Sequence, residues 1–259
     1  MTKSLGRAAV FVVVMTAFAF LISPCFADDD SLISRDIEAV KKDYRNFYAN
    51  GENLLRLGIG VGVAGIFANS SMDKEIQKYY QDSVRSETTD SAAKALKWPG
   101  NAVFILPILL GTHVLLEEHP AGQWAQKSLR AIMVGAPAGL FLQRMTGASD
   151  PSEGESKWRP LKDSNGLSGH AFLGAVPFIT AAKMNDNTYV KSILYALSVL
   201  PGLTRINDNK HYFSQAVLGW YLAYLSCNTV EKSEEKEKIS LNFVPLKGIG
   251  GGILMSYRF

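Results

Sequence analysis

The sequence predicts a mostly α-helical bundle with a small C-terminal β-hairpin, and three observations carry that expectation. Apolar positions Ile37, Val40, Tyr44, Phe47 and Tyr48 recur at intervals of three and four, as on one face of a helix. Further along, apolar segments of roughly 12–16 residues follow one another from Ala102 to Cys227, a length that suits helices better than strands. Alternation of apolar and polar residues, the strand signature, begins only after residue 238. With 259 residues, of which 47% are hydrophobic and 10 are proline, the chain is an ordinary folded protein able to bury a sizeable core.

The first element is a leader. Lys3 and Arg7 precede the apolar run Ala8 to Ile22, and Pro24-Cys25-Phe26-Ala27 before Asp28 offers small residues for cleavage, so residues 1–27 read as a secretory signal peptide. The expected location is therefore exported, periplasmic or envelope-associated. Removing Lys3 and Arg7 lowers the formal net charge from +3 to about +1, which gives no sign of a nucleic-acid partner. Cys25 leaves with the leader and Cys227 remains alone, so core packing rather than a disulfide must hold the fold.

Residues 28–98 form an N-terminal helical region. Residues 31–49 are an amphipathic helix favoured by Asp36 and Glu38 near its start. Leu54 to Ala68 is apolar but rich in glycine, which permits close approach of another helix and weakens the segment as a helix. Residues 70–98 are polar, with a surface helix expected around Lys74 to Val84.

Residues 99–230 hold the helical core, in the segments Ala102–Leu116, Leu129–Leu142, Ala171–Ala182, Ser192–Leu203 and Phe213–Cys227. Each falls short of the ~20 residues usually needed to cross a bilayer, and mean hydropathy is only +0.04, so buried helices of a soluble bundle are expected. A partial set of spans, or contact with a membrane surface, stays open. Residues 231–259 comprise the charged run Glu231 to Lys238, read as a solvated helix end or linker, and the hairpin.

Two stretches carry chemistry. Ser168-Gly169-His170 stands where an apolar helix begins, and a helix N-terminus presents unpaired amides and partial positive charge to an anion. In the second stretch Arg205 precedes His211 by six positions, and His211 leads into the next apolar segment. Arginine is a forked, permanently charged donor suited to phosphate oxygens, and a neutral imidazole beside it can act as a nucleophile.

These residues resemble the phosphatidic acid phosphatase type 2 superfamily, which also includes bacterial class A acid phosphatases and vanadium haloperoxidases. The family's Pro-Ser-Gly-His motif corresponds to Leu167-Ser168-Gly169-His170, and its motif of Ser-Arg, five residues, His, three residues, Asp corresponds to Thr204-Arg205, His211 and Gln215. The resemblance spans roughly residues 100–228 and implies an all-α bundle of that family's kind. It also implies that His211 attacks phosphorus to give a phosphohistidine, while His170 protonates the leaving alcohol and later helps activate water. Arg205, the Ser168 hydroxyl and the Gly169 amide would hold the phosphoryl oxygens. Such chemistry rests on positioning and charge neutralisation, so no metal or cofactor is expected.

The chain departs from the family pattern at three places. The family's Lys, six residues, Arg-Pro motif is matched here by Gln143 and Asp150-Pro151, so both cations are missing and Asp150 would repel phosphate. Lys157 and Arg159, in the stretch before Ser168, are expected to substitute in part. Gln215 replaces an aspartate; it can orient the His211 ring but has no charge to stabilise an imidazolium. The substrate implied is a phosphomonoester or diphosphate, on a small molecule or a lipid. A degenerate member that binds phosphate or lipid headgroups without turnover is the alternative, and a vanadate-dependent haloperoxidase a third. His113 is expected in the core and His119 in a loop or at a helix end; neither has a metal-ligand partner at helical spacing. Trp158 is expected to anchor its loop.

Overall fold

The computed structural model describes residues 32–246 and 250–257, with side chains through residue 235; the leader expected over residues 1–27 lies outside the described residues. The chain divides into two compact units, residues 1–42 and 43–259. Helix α1 (Leu32–Tyr48) begins in the first and ends in the second, where the Tyr44 and Tyr48 hydroxyls donate to the carbonyls of Met133 and Val134.

The described residues 32–238 are all-α apart from their turns and loops. Helix α2 (Gly51–Asn69) starts at Asn50, whose side chain accepts from the Glu52 amide. A short helix α3 (Met72–Tyr79) runs into a π-turn (Tyr80–Val84) closed by the bond from the Arg85 amide to the Tyr80 carbonyl. Helix α4 (Glu87–Leu96) opens with a reciprocal capping box between Ser86 and Thr89. Helix α5 (Ala102–Leu115) is capped by Asn101, and α6 (Pro120–Thr146) by the His119 ring with Pro120 in its first turn. Helix α7 (Gly169–Lys183) is capped by Ser168, and α8 (Thr188–Asn207) by Asn187. Helix α9 (Phe213–Lys238) carries on to strands β1 (Ile239–Leu246) and β2 (Gly250–Tyr257), which pair antiparallel with Ile239 opposite Tyr257.

Helix α7 is the centre of the bundle, buried on nearly every side by α6, α8 and α9, as its uniformly apolar sequence requires. Two glycines set how closely its neighbours approach. A Cβ on Gly174 would strike the Pro201 ring of α8 at 2.4 Å, and one on Gly219 of α9 would strike the Ser168 carbonyl at 2.4 Å. Away from the α7 mouth, the buried Arg130 guanidinium binds Asp43 at 2.8 and 3.1 Å and Glu234 at 2.8 Å, joining α1, α6 and α9.

Two expectations need correction. The helices are longer than the apolar segments that announced them: α6 has 27 residues and α8 has 20, while α9 runs to Lys238 with the charged run as its helix end, one of the two forms expected of that run. Hydropathy marks only the apolar stretch of a helix, whereas backbone hydrogen bonding continues it into polar residues at both ends. Nor are the apolar helices uniformly buried. Ile59 on α2 is 57% exposed, Ile108 on α5 is 56% and Ile193 on α8 is 59%, each among further exposed Leu, Val and Phe side chains.

Charge placement accompanies that exposure. No Asp, Glu, Lys or Arg lies between Arg56 and Asp73, Lys97 and Glu117, Arg130 and Arg144, Asp163 and Lys183, Lys191 and Arg205, or Lys210 and Glu231. Helices α2 and α5 to α9 thus have a charge-free stretch each, and α2 is long and apolar enough to cross a membrane.

Candidate active site

The two histidine stretches meet where α7 begins and α9 begins. The Ser168 amide donates to the Gln215 carbonyl at 2.9 Å, and Gly219 leaves no gap between α9 and the Ser168 carbonyl. Ser168 is fully buried, and its hydroxyl accepts from the Ala171 amide at 3.2 Å, so it serves as the helix cap. Gly169 stands at the first helical position, where an α-helix leaves its amide without an intrahelical partner. A Cβ there would meet only the Gln143 side-chain nitrogen, at an ordinary 3.6 Å. The fold itself therefore does not demand glycine at 169, and its absent side chain leaves space over the helix mouth. His170, half-buried, follows in the first turn.

Facing this mouth is the turn between α8 and α9. The amides of Lys210 and His211 both donate to the Arg205 carbonyl, at 2.9 and 3.2 Å, and Asn209 takes a left-handed conformation with φ +54° to make the turn. The Arg205 guanidinium lies 3.5 Å from the Asp208 carboxylate and acts electrostatically on the His211 ring.

The His211 tautomer follows from its partners. The Gln215 side-chain nitrogen donates to the Ser149 carbonyl at 2.9 Å, so its oxygen is the atom facing the Tyr212 amide at 3.1 Å and His211 Nδ1 at 2.9 Å. That oxygen can only accept. Nδ1 must therefore carry the proton, which leaves the lone pair of a neutral ring on Nε2. Burial pushes the His211 pKa from 6.5 down to about 4 and the positive charge of Arg205 acts in the same direction, while Gln215, Asp150 and the Asn165 carbonyl oppose them. At neutral pH the ring is thus an uncharged nucleophile or base.

The two positions that the resemblance gives to cations hold Gln143 and Asp150. Gln143 Nε2 donates to the Leu167 carbonyl at 2.9 Å, directly before Ser168. Asp150 lies close enough to raise the pKa of His211 and accepts from the Ser152 amide at 2.8 Å and from the Ser152 hydroxyl. Of the two cations expected to substitute, Arg159 pairs with Glu155 at 3.2 Å and the Lys157 side chain is exposed. Glu155 also pairs with Lys74 at 3.3 Å and accepts from the Lys157 amide at 3.4 Å, so the loop closes on its own carboxylate and on α3. Trp158 packs on Gly65 and anchors the loop to α2. His113 is buried and His119 caps α6. Among the described residues no group of His, Cys, Asp and Glu is arranged to hold a metal ion.

Sequence reading missed four contributors: Ser149, which fixes the Gln215 amide; Asn165; and the pair Asp73 and Ser214. Asp73 is fully buried, and its carboxylate accepts from both the amide and the hydroxyl of Ser214, at 2.9 and 2.5 Å. The one signal available was the recurrence of Asp73, Gln77 and Gln81 every four residues on a single helical face.

Comparison with known proteins agrees with this frame. Residues 128–237 match the family model of the PAP2 superfamily, a stretch that runs from within α6 to the last turn of α9 and contains Gln143, Asp150, Ser168 to His170, Arg205, His211 and Gln215. No curated protein and no solved structure matches the chain. Members of that superfamily are generally phosphatases acting on phosphorylated substrates. A buried histidine held by one tautomer against the mouth of a capped helix lies inside the matched stretch, and through residues 128–237 this chain is similar to the PAP2 superfamily.

Proposed function

We propose that the domain hydrolyses a phosphomonoester or a diphosphate through a phosphohistidine on His211. The observation that carries this reading is the fixed Nδ1–H tautomer, which keeps a nucleophilic lone pair on Nε2 of a neutral ring. In the first step Nε2 attacks phosphorus and the phosphorus–oxygen bond to the alcohol breaks, with protonated His170 giving its proton to the departing oxygen. In the second, neutral His170 takes a proton from water, the hydroxide attacks phosphorus, the nitrogen–phosphorus bond breaks and orthophosphate leaves. Arg205 and the Gly169 amide neutralise the phosphoryl oxygens, with Ser168 holding the helix mouth in shape.

The same reading includes a membrane. A helix at a water-facing surface keeps its charges on the exposed side, whereas the exposed sides of α2, α5 and α8 carry Ile, Leu, Val and Phe within charge-free stretches. Apolar surface of this extent fits the hydrocarbon of a bilayer, and export to the cell envelope would bring the chain there. A lipid phosphate is then the substrate class that reaches the site most readily.

A second reading, binding of phosphate or a lipid headgroup without turnover, is favoured by Asp150 and Gln143 standing where cations are expected. One experiment separates the two. Full-length protein purified in detergent is assayed for phosphate release from p-nitrophenyl phosphate, phosphatidic acid and isoprenyl diphosphate, alongside His211→Ala. Release that vanishes in the variant supports the phosphatase. No release by folded wild-type protein rejects it in favour of the binding role.

A further inference from the structure

The turn from Arg205 to His211 is held from outside by a segment that the PAP2 match, beginning at residue 128, does not include. Its first anchor is Asp73 on α3, whose carboxylate accepts the Ser214 amide and hydroxyl in the first turn of α9. Its second is Gln77, which donates from Nε2 to the Ile206 carbonyl at 3.1 Å and to the Asn209 side chain at 2.7 Å. Gln81 donates to the carbonyls of Ile206 and Asn207, at 2.9 and 3.3 Å. Asp90 accepts from the Asn207 side-chain amide at 2.7 Å, and the Tyr80 hydroxyl lies 3.3 Å from the Asn207 side-chain oxygen.

The chemistry of these contacts suits their targets. The last turn of α8 has carbonyls that lack intrahelical donors, and amide side chains are donors. The first turn of α9 has amides that lack acceptors, and a carboxylate is an acceptor whose charge also suits a helix N-terminus. One strip of side chains thus caps both helices that flank the turn. The spacing of Asp73, Gln77 and Gln81 keeps all three on one face through the π-turn. Burial raises the Asp73 pKa, and the two Ser214 bonds oppose that shift by favouring the carboxylate.

We infer that residues 73–90 are a positioning clamp for the reaction: by fixing the end of α8 and the start of α9, they hold Gln215 against His211 and Arg205 beside it. This inference rests on the phosphatase reading for its kinetic consequence but not for its geometry. Gln215 lies in the turn of α9 that Asp73 caps, one residue after Ser214, and the Gln215 oxygen is the atom that holds the His211 proton on Nδ1. Releasing Ser214 frees that turn, and the ring loses its single tautomer.

The test uses full-length protein in detergent with Asp73→Ala, Asp73→Asn and the double variant Gln77→Ala/Gln81→Ala. In histidine-labelled wild-type protein, nitrogen NMR is expected to show one His211 ring with its proton on Nδ1. Asp73→Ala and the double variant should show that ring averaging between tautomers, while Asp73→Asn, which keeps an acceptor for the Ser214 amide, should restore it. Kinetically, Asp73→Ala should lower kcat for p-nitrophenyl phosphate by at least about tenfold with KM changed less than about threefold, since the groups that hold phosphate are elsewhere. The acid limb of kcat/KM should move up as the ring leaves its buried seat, with the charges beside it, Arg205 and Asp150, unchanged.

A variant that loses only thermal stability, with the His211 tautomer and the acid limb as in wild type, overturns the clamp. Should Asp73→Ala not fold, the double variant and the single variant Gln81→Ala test the same point, because Gln81 reaches the turn from a half-buried position and neither glutamine carries a buried charge. Should wild-type protein release no phosphate, the phosphatase reading falls, and the NMR comparison still decides whether residues 73–90 position His211.

Discussion

The side-chain oxygen of Gln215 stands 2.9 Å from His211 Nδ1 and 3.1 Å from the Tyr212 amide, so a single neutral residue both orients the candidate nucleophile and closes the first turn beneath it. A carboxylate in the same place would make the same two bonds and add a negative charge. Gln215→Asp is therefore expected to raise the His211 pKa above about 4 and to speed phosphate release about tenfold at neutral pH by stabilising the imidazolium-like transition state. Gln215→Leu removes the acceptor and should slow release at least about a hundredfold. Initial rates against pH for the three proteins check both directions.

Asp150 lies close enough to His211 to act on it electrostatically, so on the phosphatase reading it opposes a phosphate dianion approaching that ring. Asp150→Asn should lower the inhibition constant of inorganic phosphate by about tenfold, and Asp150→Arg by more, with the gain shrinking at high salt because the effect is electrostatic. Competition by phosphate at low and high ionic strength, with Debye lengths of about 10 and about 3 Å, measures this.

Gly169→Ala tests the space over the helix mouth. The added methyl would meet only Gln143 Nε2 at 3.6 Å, and alanine has the better helix propensity, so the protein should fold with unchanged or slightly higher Tm. Phosphate release should nonetheless fall by about tenfold or more, since the methyl occupies the approach to the Gly169 amide. Loss of activity together with loss of stability would contradict this reading of the site.

His211 makes stability depend on pH. Its folded pKa of about 4 lies below the unfolded value near 6.5, so between those limits the unfolded chain binds more protons than the folded one. The stabilising contribution of the neutral buried ring is fully present above about pH 6.5 and is lost as pH falls toward 4, by about 3 kcal/mol in all. Thermal unfolding at pH 7 and pH 4.5 should separate wild type from His211→Gln, with the wild type losing more Tm on acidification.

Ile193, exposed on α8 within a charge-free stretch, distinguishes water from lipid around the bundle. On a water-facing surface Ile193→Lys is nearly neutral, within about 0.5 kcal/mol. In a bilayer it carries a penalty, smaller than the about 2.5–3.5 kcal/mol of the membrane centre because Ile193 lies two residues from Lys191 near the helix end. Membrane insertion and yield are expected to fall in Ile193→Lys and more sharply in Ile108→Lys, which lies at the middle of the charge-free stretch of α5, and a carbonate wash should leave wild-type protein in the membrane pellet.

The sequence by itself determined the helical class and the order of the elements, and it named the residues of the candidate site. Helical periodicity is local, and Ser168-Gly169-His170 and Arg205 with His211 lie within single short stretches whose spacing can be read without neighbours. The match of Gln143 and Asp150 to positions that hold cations in the family was legible for the same reason. Tertiary structure alone decided how those stretches meet. It set Ser168 as a buried cap bound to the Gln215 carbonyl, fixed the His211 proton on Nδ1 through an amide anchored by Ser149, and turned Arg159 to Glu155. It also brought Asp73, 141 residues earlier in the chain, to Ser214. Such contacts follow from which helices pack together, and a buried carboxylate reads in sequence like any surface aspartate until the helix end it satisfies is known. The exposed apolar faces were hidden likewise, because hydropathy reports how apolar a helix is and only packing reports which side of it other helices cover.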